Sequence, residues 1–229
     1  SFWRYYLLSR VSTLVLPGRM GEFTIAYFLK KQNISFGEGI AAVVADKLTT
    51  IFWSVVFGIT ALAILFGAAL DISGTIVSLF LLTASGVLIL LKPSRKFIRK
   101  FILRKYASSF SGFSTTLFSY VRQNKKALFL NTLITLFRTI IIAFSAKFMF
   151  LSLGADISLL TLIFIGGIET LSTFLPVTIN GLGIKQGIGV YLFGLLGIPA
   201  EIVATRYIIG LLVQYSFGLL TLLFVRNKE

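Results

Sequence analysis

Long apolar runs, broken by short charged or glycine-rich segments, set the pattern of this chain. Leu48 to Leu70 runs 23 residues without a charge and Gly74 to Leu91 runs 18. At about 1.5 Å of helical rise per residue, each is long enough to cross a bilayer. Ala127 to Leu151 and Tyr207 to Val225 are also long enough, although the first carries Arg138 and Lys147 within it. These four stretches predict spanning helices. Two other apolar stretches are interrupted, at Leu16-Pro17-Gly18-Arg19-Met20-Gly21-Glu22 and at Leu175-Pro176-Val177-Thr178-Ile179-Asn180-Gly181-Leu182-Gly183. Proline lacks a backbone donor, and Gly and Asn tolerate left-handed backbone, so neither helix continues smoothly. Each break predicts two half-helices meeting at a loop.

Composition agrees with this pattern. Of 229 residues, 56% are hydrophobic and 13% charged, with a mean hydropathy of +0.92, which places the chain among integral membrane proteins as a single transmembrane domain over residues 1–229. The absence of Cys and His excludes disulfides, thiolate nucleophiles, Ser-His triads, haem ligation and metal sites built on sulfur or imidazole. The net charge of +14 is read as cytoplasmic loop bias and attraction to anionic lipid, not as nucleic-acid binding. The opening Ser1-Phe2-Trp3-Arg4 shows no signal-peptide pattern and is expected to be the start of a fragment, with a helix preceding it.

The positive charges also predict orientation. Ten Lys/Arg and no acid lie between Lys92 and Lys126, which puts that loop in the cytoplasm. Gly67 to Ser73, Ser152 to Asp156 and Gly197 to Glu201 each carry one acid and no Lys or Arg, and they should face the other side. For Lys30-Lys31 and the tail Arg226, Lys228 to be cytoplasmic as well, Ile157 to Leu196 must enter and leave from the outer face. The expected fold class is therefore all-α: a polytopic transmembrane helical bundle with two opposed re-entrant broken helices, an inverted repeat. Its parts are a first half (1–91), a basic linker (92–126) and a second half (127–229). Within the linker, Phe97, Ile98, Phe101 and Ile102 oppose Arg95, Lys96, Arg99, Lys100 and Arg104, as in an amphipathic helix lying on the inner leaflet or an ordinary topology-setting loop.

Non-helical backbone at membrane depth persists where it is packed in protein or lines a polar cavity, so both breaks are site candidates. Half-helix N-termini offer free N–H groups and a positive dipole end, and Arg19 and Lys185 add full charges, a combination suited to an anionic headgroup. The alternative is that Pro17 and Pro176 merely kink helices and Arg19 snorkels. A central charge costs about 2.5 to 3.5 kcal/mol on the insertion scale, so pairing is expected: Glu22 with Arg19, and Glu169 with Arg138 or Arg206, either to orient helices or to serve transport. Lys147 should snorkel at the outer interface, and Asp46-Lys47 should stay wet near the cytoplasmic end. The candidate substrate-binding residues are thus Pro17, Gly18, Arg19, Gly21, Glu22, Arg138, Glu169, Pro176, Asn180, Gly181, Gly183, Lys185 and Arg206. The glycine-rich stretch Asn180 to Gly187 follows no strand and lacks GxGxxG spacing, so a nucleotide loop is rejected. Scattered carboxylates and no His base leave no catalytic residue, metal or cofactor to expect.

The stretch Leu16 to Glu22 through Ala26-Tyr27-Phe28-Leu29, then Glu38 to Leu48, Leu175-Pro176 through Gly181-Leu182-Gly183 and Gly197-Ile198-Pro199 resembles the lysylphosphatidylglycerol synthase transmembrane family, over nearly the whole chain. The resemblance implies a polytopic helical domain that handles lipids, moving aminoacylated phosphatidylglycerol between leaflets in some members and accompanying polyprenyl-phosphate glycosyltransferases in others. Pro17, Gly18, Gly21 and Glu22 match the first family motif, and Pro176, Gly181 and Gly183 the second. Many relatives carry Arg-Glu after the second motif's last Gly, whereas this chain has Lys185-Gln186, so any role of that glutamate does not carry over. The expected function is that of a non-enzymatic, flippase-like lipid transporter in the cell membrane, with membrane lipids and anionic headgroups as partners. The alternatives are an accessory domain presenting a lipid to a separate lipid-modifying transferase, or a small-solute transporter.

Overall fold

The computed structural model describes residues 2–16, 19–30, 32–67, 116–117, 119–120, 124–174, 178 and 181–226. Among them every regular element is helical: α1 (Phe2–Val15), a 3₁₀ turn (Met20–Phe23), α2 (Thr24–Lys30), α3 (Phe36–Phe66), α4 (Lys125–Ser152), α5 (Leu159–Ser172), α6 (Ile184–Gly194) and α7 (Ala200–Arg226). The expected span Gly74 to Leu91 and the amphipathic stretch around Phe97 to Ile102 lie outside the described residues, as do Pro17, Gly18, Pro176 and Asn180. The fold is an all-α, polytopic membrane bundle in which α3, α4 and α7 are long and apolar enough to cross a bilayer.

Two of these helices start well before the apolar runs that predict them. Helix α3 begins at Phe36 instead of Leu48 because Ser35 and Glu38 form a capping box, the Ser35 side chain accepting from the Glu38 N–H and the Glu38 carboxylate from the Ser35 N–H. This satisfies donors that an uncapped first turn leaves open. Helix α7 begins at Ala200, so Glu201 and Arg206 lie inside it. Charge runs mislead here because a polar side chain can sit within a helix whenever the bundle gives it a partner. Ser158 caps α5 by accepting from Thr161 N–H, and Asn124 caps α4 by accepting from Ala127 N–H.

Small residues allow the helices to approach closely, as expected where lipid supplies no hydrophobic drive between helices. A Cβ added at Gly167 on α5 would lie 2.7 Å from the Ser54 carbonyl oxygen and 2.9 Å from the Gly58 nitrogen on α3, and one at Gly39 on α3 would lie 2.9 Å from Ala26 on α2. The α3–α5 crossing therefore ties the two halves of the chain together. The main core lies around it and α4, α6 and α7, with Phe150, Phe193, Ile165 and Val203 fully buried and the Phe150 and Phe193 rings 5.0 Å apart. Helix α1 runs against α7, where the Tyr215 hydroxyl donates to the Leu14 carbonyl at 3.2 Å. The outer faces of α4 and α7 are strongly exposed and apolar, with Phe137, Phe148, Leu212 and Phe217 among them, as befits side chains in contact with lipid.

Candidate functional site

Two buried glutamates organise the polar interior, Glu22 at the first chain break and Glu169 in the last turns of α5 ahead of the second. Glu22 sits on the 3₁₀ turn, which leaves Arg19 in the left-handed region (φ 60, ψ 20), a conformation that a non-Gly residue adopts only where its surroundings impose it. Helix α1 imposes it here. The Ser9 hydroxyl lies 3.1 Å from the Gly21 carbonyl and 3.2 Å from that of Glu22 as donor, and a Cβ on Gly21 would overlap the backbone of Ser12 and Thr13. The Glu22 carboxylate pairs with Lys47 of α3, and Arg10 and Arg19 stand 3.5 and 3.7 Å from its other oxygen. Lys47 also donates to Asp46 at 3.2 Å.

Glu169 on α5 accepts from the Tyr207 hydroxyl at 2.5 Å and pairs with Arg206 at 3.4 Å and Lys185 at 3.6 Å. Tyr207 and Arg206 are neighbours on α7, and the Arg206 guanidinium also lies 4.5 Å from the Tyr207 ring and 5.5 Å from that of Phe150, a cation–π arrangement that holds the charge in place. Tyr207 gets its room from Gly189: a Cβ there would overlap the Tyr207 hydroxyl. Lys185 is in the first turn of α6, which follows two left-handed glycines, Gly181 (φ 77) and Gly183 (φ 86). The Gln186 side-chain oxygen accepts from the Gly183 N–H at 2.8 Å, which steadies the start of α6.

Between these groups lies a cavity of about 340 Å³, lined by Arg19, Lys185, Arg206, Thr173, Gln186, Gln214 and the apolar Ile142, Met149, Leu211 and Val213. A smaller cavity of about 60 Å³, which shares Arg19 and Ile142, is lined by Arg10, Arg138, Thr50, Trp53, Ser54 and Thr135. Neither has a carboxylate in its wall among the described residues. Arg19 touches both, its guanidinium lies 5.3 Å from the Phe174 ring, and its Nε and Nη1 are buried with no hydrogen-bond partner. Buried donors of this kind are normally satisfied, and with Glu22 3.7 Å away, beyond hydrogen-bond length, both remain open to an acceptor.

Some placements agree with what the sequence suggests and others differ. Of the two expected partners of Glu169 it is Arg206 that pairs, as expected, while the other, Arg138, donates to Thr50 Oγ1 at 3.0 Å, because α4 faces α3 at that level. Lys47 is buried, not wet, since the early start of α3 carries it several turns into the bundle. Lys147 pairs with the exposed Asp156 and donates to the Ile157 carbonyl at 2.9 Å, a reach towards the turn after α4 that agrees with the expected snorkelling. Arg19, Gly21, Glu22, Arg138, Glu169, Gly181, Gly183, Lys185 and Arg206 are described, and most of them line or back the two cavities. Lys47, Tyr207 and Arg10 were missed. For Lys47 a signal existed in the Ser35-x-x-Glu38 box, while Tyr207 looks like any aromatic in an apolar helix.

In comparisons with known proteins, the family model described as the lysylphosphatidylglycerol synthase TM region matches residues 1–221. Neither the curated proteins nor the solved structures give a match.

Proposed function

Because the chain belongs to the lysylphosphatidylglycerol synthase transmembrane-region family, we propose that it is a non-catalytic membrane domain whose cationic cavity binds the anionic headgroup of a membrane lipid and passes it between leaflets. The observation that carries this reading is the 340 Å³ cavity, whose wall combines Arg19, Lys185 and Arg206 with apolar side chains and has no carboxylate among the described residues. Ile142 and Val213 line it and are each 57% exposed, on the two helices α4 and α7 whose apolar faces are uncovered. Acyl chains can therefore stay in the bilayer while the headgroup enters between α4 and α7.

The broken segments support movement between leaflets. With 14, 14 and 11 residues, α1, α5 and α6 are about 21, 21 and 16 Å long at the α-helical rise, short of the ~30 Å hydrocarbon core. Each fits half a crossing, with α1 returning through α2 and α5 through α6 as two re-entrant pairs, and opposed pairs of this kind permit alternating exposure of a midplane site. The basic stretch 92–126 then faces the cytoplasm.

The test is reconstitution in liposomes carrying headgroup-labelled anionic lipid, with leaflet exchange followed by quenching. Exchange above empty vesicles that is lost in Arg19→Gln is the expected result. Full exchange by that variant would overturn the assignment, and headgroup binding without exchange would point to a domain that presents lipid to a separate transferase.

A further inference from the structure

Among the described residues five cations line the two cavities, Arg10, Arg19, Arg138, Lys185 and Arg206, and the carboxylates lie behind them. Glu22 is shared by Lys47, Arg10 and Arg19, and Glu169 by Arg206 and Lys185. Asp46 bonds to Lys47 with a side chain 39% exposed. With Lys47 that makes six cations against three carboxylates among the described residues, a surplus of three positive charges in a region where unpaired charge is costly. One phosphodiester supplies a single negative charge, and an aminoacylated headgroup supplies none. Neither balances this site.

The geometry divides the surplus. The larger cavity has Lys185 and Arg206, the smaller has Arg10 and Arg138, and Arg19 lies in the wall of both. At about 60 Å³ the smaller cavity has the volume of about two liquid-water molecules, enough for one phosphate group and too little for a whole headgroup. Thr50, Ser54 and Thr135 put hydroxyls in its wall. Thr50 accepts from Arg138 and so keeps its own proton free to donate to a phosphate oxygen. The Nε and Nη1 of Arg19, neither of which makes a hydrogen bond, suit an oxygen bridging the two cavities.

Resting on the headgroup reading above, we propose that this site takes a lipid-borne diphosphate, with one phosphate in each cavity and Arg19 gripping both. Trp53 in the wall of the smaller cavity provides the readout, because Trp3→Phe leaves it as the sole tryptophan. With that variant in phosphatidylcholine nanodiscs, farnesyl diphosphate, farnesyl monophosphate, phosphatidylglycerol and inorganic pyrophosphate are titrated while Trp53 emission is followed. Farnesyl diphosphate should bind at least about tenfold more tightly than the monophosphate, as one added charge-assisted contact predicts, and Arg138→Gln should reduce that ratio towards one. Equal affinity for the two farnesyl probes, or a ratio unchanged by Arg138→Gln, would overturn the diphosphate assignment and leave the headgroup reading standing. The wild-type ratio decides the matter even if the Arg138 variant does not fold. Pyrophosphate binding as tightly as farnesyl diphosphate would support the two-phosphate site but reject the lipid as its source. Failure of every anionic lipid to bind would reject both readings.

Discussion

Substituting Gly189 by Ala sets two effects of opposite sign against each other. In a helix interior, Gly→Ala is ordinarily stabilising, by up to about 1 kcal/mol. At Gly189, however, the new Cβ would overlap the Tyr207 hydroxyl and lie 2.6 Å from Cζ and 2.9 Å from Cε2 of the same ring. The ring cannot simply retreat, because it is buried and its hydroxyl is bonded to Glu169 at 2.5 Å. Overpacking costs about 1 to 3 kcal/mol, and loss of a hydrogen bond to a charged group about 1.5 to 3 kcal/mol. The steric and hydrogen-bond terms win, and Gly189→Ala should destabilise by about 2 to 5 kcal/mol. Gly187 in the same helix is the control, since a Cβ there meets nothing within 4 Å, and Gly187→Ala should be neutral or stabilising. Equilibrium unfolding of both variants in detergent tests the contrast. Adding Tyr207→Leu to Gly189→Ala should recover part of the loss by freeing the space. Gly189→Ala as stable as Gly187→Ala would refute the reasoning, because the close approach to Tyr207 would then not exist.

Two further outcomes follow from the first half of the chain. Lys47→Met leaves the buried Glu22 with Arg10 and Arg19 at 3.5 Å or more and should cost about 3 to 5 kcal/mol, as for a broken buried pair; Lys47→Met with Glu22→Gln should be more stable than Lys47→Met alone, and a double variant no better than the single would contradict the pairing in an unfolding titration. Ser35→Ala removes the side chain that accepts from Glu38 N–H and should cost about 0.5 to 2 kcal/mol, with early hydrogen exchange confined to the first turns of α3; uniform exchange along that helix would argue against a cap.

Much of the candidate site could be read from the chain because its chemistry is local. Arg19, Glu22 and Lys185 stand beside Pro-Gly or Gly-rich breaks in apolar sequence, where charge and irregular backbone are both expensive unless a cavity or partner receives them. What could not be read is which charge meets which. Glu169 and Arg206 are 37 residues apart, and Arg138 and Thr50 are 88 apart, so their pairing depends on how α3, α4, α5 and α7 cross. Lys47 looked wet because it borders a charged run, yet the capping box at Ser35 carries the helix past it.

Sequence alone determined that this chain lives in a membrane, that its structure is helical, and that its polar residues collect at two interrupted segments. Apolar run length against bilayer thickness and the backbone limits of Pro and Gly require no knowledge of distant contacts. Tertiary structure decided the charge partners, the Gly58–Gly167 crossing that joins the halves, and the placing of Arg19 between two cavities with no carboxylate in either wall among the described residues. Those features depend on side chains from helices far apart in the chain meeting at one depth, and the pattern along a single helix does not contain that information.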